Sequence, residues 1–209
     1  MSSEFVAFLQ LGMRHILDPK GYDHILFVAA LTAGYAPRQW RRLLGLVTAF
    51  TLGHSITLAL ATLRLVTVPS SLIEVLIPVT IVATSLVSAM GAHRMSASPT
   101  PENVAQRDSR GSYVARYAMA AGFGLIHGLG FSTFLRTVLG AEDSILRPLV
   151  AFNVGLECGQ VAIVLTVLLL GTVAERALRV ARRDWLLFIC GATAGVGISM
   201  IIDRLRPPA

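Results

Sequence analysis

The chain has 209 residues, 54% of them hydrophobic and 14% charged, with a net charge of +6 and a mean hydropathy of +0.67. Soluble domains carry about 25% charged residues, so the composition excludes one and indicates an integral membrane protein. The excess charge is arginine at the ends of apolar stretches with no aromatic interleaving, which excludes a nucleic-acid partner and makes lipid headgroups the counter-ions.

In chain order, Met1-Ser2-Ser3-Glu4 lacks a basic start and no small-residue cleavage site follows, so no secretory signal peptide is expected. Glu4 to Leu17 reads as a short amphipathic or re-entrant segment. The apolar stretch 21–36 covers only about 22–24 Å of a core roughly 30 Å thick, so the segment before it must complete it. Five longer stretches, at 43–65, 70–91, 113–139, 146–173 and 185–202, each suffice for a crossing. The expected fold is an all-α bundle of about six transmembrane helices, a single transmembrane domain over 1–209. The polar stretch 92–112, rich in Ser, Pro, Thr and Arg, is expected to be a flexible cytoplasmic loop.

Threading six spans puts Arg38, Arg41, Arg42, Arg94, Arg107, Arg110, Arg116, Arg176, Arg179, Arg182 and Arg183 on one side. The richer side is cytoplasmic by the positive-inside rule, which places both termini in the periplasm and the protein in the inner membrane of a bacterium. Cys158 and Cys190 lie in apolar stretches without a CxxC spacing and are read as packing residues.

The chemistry lies in ionisable groups placed where hydrocarbon is expected: Asp23 and His24, His54, His127 and Glu157. Each costs about 2.5–3.5 kcal/mol or more at the bilayer centre unless it faces a polar cavity, so together they mark a site. His54 is ten residues from Arg64, His127 nine from Arg136 and Glu157 ten from Arg147, about 14–15 Å along each helix, which predicts one common depth. His24 and Asp23 join them when depth is counted from the opposite arginines. Asn153, Glu157 and Gln160 follow an i, i+4, i+7 stripe, and Thr51 and Ser55 flank His54. These four neighbours, Asn153, Gln160, Thr51 and Ser55, are expected to orient the ligands. His15 and Asp18, before the first span, are read as an outer capture point. Imidazoles with carboxylates suit Ni, Zn, Fe, Co or Cu(II), and the lack of thiolate pairs or a Met stripe argues against Cu(I).

Four motifs then carry a resemblance. Gly12-x-x-His15 through Gly21-Tyr-Asp23-His24, Phe50-Thr-Leu-Gly53-His54-Ser55, Phe123-Gly-Leu-Ile-His127-Gly and Phe152-Asn153-x-Gly-x-Glu157-x-Gly-Gln160 occur in this order. Together they resemble the HupE/UreJ family of small bacterial membrane proteins, in its second branch. The resemblance implies a nickel or broader transition-metal permease linked to hydrogenase and urease maturation. Its motif residues map onto His15, Asp23, His24, His54, His127 and Glu157.

The expected function is transport of a divalent transition-metal ion, nickel favoured, by a protein that is not an enzyme. The expected partners are the ion and the lipid bilayer, with a homo-oligomer left open. No P-loop is present, so the energy comes from a gradient or a partner. Two rivals remain: a bis-histidine haem b protein using His54 and His127, and a non-haem metal redox enzyme using two histidines and a carboxylate.

Overall fold

Backbone polar groups in hydrocarbon must be satisfied within their own segment, and helices achieve this. The computed structural model describes residues 3–96, 110–139 and 145–206, all helix and short connections, with no strand among them. The helices are α1 (Ser3–Leu17), α2 (Asp23–Thr32), α3 (Trp40–Thr62), α4 (Ser70–Ser96), α5 (Arg110–Leu139), α6 (Leu146–Arg176) and α7 (Arg182–Leu205), with a 3-10 turn at Pro37–Gln39.

Four stretches are long and apolar enough to cross a membrane by themselves: Pro37–Thr62, Ser70–Gly91, Leu146–Arg176 and Arg182–Leu205. The α5 helix has 30 residues, ample for a crossing by length. The sixth expected span is not one helix, because α1 and α2 have only 15 and 10 residues. They run in succession along α6. Gly12 packs on Phe152 and Leu156, and Gly155 on Leu9 and Met13, while Thr32 and Tyr35 share a crevice with Val167, Gly171 and Thr172. The expected first span is therefore two helices with a break at 18–22, which puts Asp23 and His24 at the start of the second. The expected loop at 92–112 is helical at both ends, since α4 continues to Ser96 and α5 begins at Arg110; residues 97–109 lie outside the described residues.

Two glycine contacts set the bundle. A Cβ on Gly53 would strike the carbonyl of Ala121, and one on Gly124 that of Phe50. A Cβ on Gly12 would strike the carbonyl of Phe152, and one on Gly155 that of Leu9. In each pair the obstructing carbonyl lies three residues before the partner glycine, so the α3–α5 and α1–α6 crossings share one geometry, both parallel. Small residues allow this backbone approach inside membranes. The equivalence departs from the likeness of Phe50–His54 to Phe123–His127 along the sequence. The structure instead pairs Gly12-x-x-His15 with Gly124-x-x-His127, and Phe50-x-x-Gly53 with Phe152-x-x-Gly155.

The α3 helix ends without glycine: Arg64 takes a left-handed φ of 59°. Its amide donates to Ala61 O and that of Leu65 to Leu60 O, the paired closure that satisfies the last carbonyls. Hydroxyls on the spans are mostly turned back on their own helix, as in Thr32 to Val28 O, Thr84 to Thr80 O and Ser85 to Ile81 O, which removes most of the cost of burying them.

Candidate metal centre

Four imidazoles meet in the middle of this bundle. The α1–α6 crossing brings in His15, the start of α2 His24, and the α3–α5 crossing both His54 and His127. The ring centroids of His15 and His24 are 4.8 Å apart, those of His24 and His127 4.9 Å, those of His24 and His54 5.8 Å, and those of His15 and His54 6.0 Å. His24, His54 and His127 are all buried, with His54 at 0% exposure. Phe27, Phe50, Phe131 and Phe152 wall the cluster. Phe131 lies 3.8 Å from His15 between centroids and stacks on Phe152 at 5.1 Å.

Hydrogen bonding fixes two of the rings. Asp23 Oδ1 accepts from the His24 backbone amide at 2.9 Å and lies 3.0 Å from His24 Nδ1, so the ring proton sits on Nδ1 and the lone pair on Nε2. Thr80 Oγ1 donates to Ile77 O at 2.6 Å, leaving it to accept from His127 Nε2 at 2.9 Å. The His127 lone pair is therefore on Nδ1. Both of these lone-pair nitrogens are buried without a hydrogen-bond partner, as are His15 Nε2 and both nitrogens of His54. Buried polar atoms are nearly always partnered, and the five orphans on four adjacent rings leave each ring a lone pair that a cation can meet. Outer partners that orient an imidazole in this way are characteristic of metal ligands.

Two ligand groups result, His15–His24–His54 and Asp23–His24–His127, each with donor atoms within 4.8 Å of one another. Donors about 2.0–2.2 Å from one metal ion stand about 3–4 Å apart, so small side-chain movements would close either set. His24 belongs to both. Neutral imidazoles with one carboxylate match divalent ions of the Ni, Zn, Fe, Co and Cu type.

The structure places the sequence-predicted residues unevenly. Asp23, His24, His54 and His127 come together. His15, expected at an outer capture point, lies inside the cluster instead. Asp18 lines the cavity beside it, but its Oδ1 accepts the Lys20 amide at 2.9 Å in the exposed turn. Glu157, expected at the level of the histidines, is in neither ligand group. Its Oε1 accepts from Thr48 Oγ1 at 2.5 Å. The reason is azimuth: Gly155 and Gly159 turn their face of α6 to α1, and Glu157, two residues on, turns to α3. Gln160 is bonded to Thr51 at 3.2 Å, Ser55 donates to Thr51 O at 2.6 Å, and Asn153 Oδ1 is buried without a partner. Thr80, which orients His127, was missed by sequence reading. Nothing distinguishes it there from the other hydroxyls of α4.

A cavity of about 300 Å³ leads away from the cluster. Its wall runs from His24 and His127 past Asp18 and Ser132 to Glu74 and Arg204, which form a 2.6 Å ion pair, each half-exposed. The cluster is thus open on the side of the α7 C-terminus.

Residues 1–203 match the family model described as HupE / UreJ protein. No curated protein and no solved structure matches the chain.

Proposed function

Because the chain belongs to the HupE/UreJ family, we propose that it carries a divalent transition-metal ion, nickel favoured, across the inner membrane through the cage formed by His15, Asp23, His24, His54 and His127. The observation that carries this reading is the set of five buried, unpartnered ring nitrogens on four adjoining histidines. Two of these nitrogens have their lone pairs fixed by Asp23 and Thr80. The direction proposed is inward, with the cavity facing the periplasm, as the arginine distribution favours. Ligation requires neutral imidazoles and an ionised Asp23, so metal loading is linked to proton release.

A haem between His54 and His127 fits poorly. The rings of His24 and Phe50 each contact both histidines and fill the flat slot a macrocycle needs. The redox-enzyme alternative predicts turnover without net ion movement.

The test is metal content of detergent-purified protein by mass spectrometry, together with uptake of Ni²⁺ into proteoliposomes. The wild-type chain is expected to hold the ion stoichiometrically and to transport it. His54→Ala and His127→Ala, each of which breaks one ligand group, are expected to lower both sharply while remaining folded. Uptake unchanged in both variants would sink the assignment. A milder variant, Thr80→Val, keeps the shape but removes the acceptor of His127 Nε2. It is expected to weaken Ni²⁺ binding about 10–100-fold in a titration, the range for losing an orienting partner.

A further inference from the structure

A second polar layer lies on the far side of the cage from the cavity. Along α3, Thr51 and Thr48 precede His54 by three and six residues, about 4.5 and 9 Å, towards the end of the bundle where Arg182 bonds Tyr35 O. They meet Gln160 and Glu157 of α6. None of these four residues lines the cavity.

The layer is oxygen-rich and short of donors. The hydroxyl of Thr51 has one proton but two acceptors in reach, Val47 O at 3.1 Å and the Gln160 amide at 3.2 Å. With the proton on Val47 O, the Gln160 amide turns its N–H to Thr51 and its carbonyl is left without a partner. With the proton on Gln160, the amide NH₂ is orphaned instead. Gln160 is fully buried, so an unpartnered amide group is costly. One turn before Glu157, Asn153 Oδ1 is also buried and unpartnered. Asn153, Glu157 and Gln160 share one face of α6 by their spacing.

Resting on the reading of the cage as a transport site, we infer that Glu157, with Asn153, Gln160 and Thr48, forms a separate oxygen-donor station that receives the metal ion from the histidines on its way to the Arg182 end. An all-oxygen set holds Ni²⁺ and its neighbours less tightly than imidazoles do. Conduction needs such a descending second site, because an ion bound only at a strong cage does not leave. The Glu157 carboxylate supplies the charge that draws the ion off. Asn153 and Gln160 supply neutral carbonyls.

Glu157→Gln separates the station from the cage. In the purified variant, Ni²⁺ titration is expected to give the wild-type cage affinity within about threefold, while uptake into proteoliposomes falls at least about tenfold. Thr48→Val, which leaves every carboxylate in place, is expected to show the same split more weakly and serves if Glu157→Gln does not fold. Wild-type uptake in both variants overturns the station. Loss of binding as complete as in His54→Ala also overturns it, by making Glu157 a ligand of the cage. Wild-type Ni²⁺ affinity in His54→Ala would sink the cage itself, a result read independently of either station variant.

Discussion

His24→Ala is expected to abolish transition-metal binding, with a larger effect than any other single ligand removal. His24 belongs to both ligand groups, so its loss leaves His15 with His54 on one side and Asp23 with His127 on the other, neither with a third donor. It also costs Asp23 its bond to the ring, leaving its carboxylate only the backbone amide of residue 24. The affinity loss should exceed the roughly 10–100-fold that removal of an orienting partner costs. His15→Ala leaves the Asp23–His24–His127 group intact and is expected to lose less. Equilibrium titration with Ni²⁺, ordering His24→Ala below His15→Ala, checks the shared role. Equal losses in the two variants would show that the groups are not separate sets.

The second large effect falls on folding. Gly124→Val would drive a side chain into the carbonyl of Phe50 and the amide of His54, both on a helix that cannot yield without moving the cage. Overpacking a core costs about 1–3 kcal/mol when side chains can shift; here the obstacle is backbone, so the cost should lie above that range. A loss of monodisperse protein in detergent, or a collapsed thermal melt, is the expected result. Gly122 is the control, since a Cβ there meets open space. Gly122→Ala should leave the melt unchanged or raise it, because alanine favours helix over glycine by about 0.8–1.0 kcal/mol. A melt of Gly124→Val equal to that of Gly122→Ala would refute the close crossing.

Composition and apolar length were enough to read an all-helical membrane protein, because in lipid these quantities decide the fold class directly. Counting residues from terminal arginines put His54 and His127 at one level, and in the structure both rings lie against His24. For Glu157 the same count did not indicate its neighbours. A one-dimensional depth carries no azimuth, and the glycines that turn α6 towards α1 swing Glu157 to Thr48. His15 was underrated for the complementary reason. The short α1 looked interfacial, but Gly12 lets it lie directly on α6 and carry its histidine inward. Thr80 was illegible because its role depends on which neighbour its hydroxyl meets, not on spacing.

The break between α1 and α2 has a further consequence for how the protein is made. Three of the four clustered histidines, His15, His24 and His54, lie within the first 54 residues of the chain, and are synthesised well before the segments that pack them. Yet α1 is seated only when residues 152–159 arrive, and α3 is held by glycines at 124 and 128. The nascent chain therefore carries these residues long before it can bring them together, and the four-histidine cluster is complete only once α6 is in place. Completion of the cluster becomes one of the last events of folding.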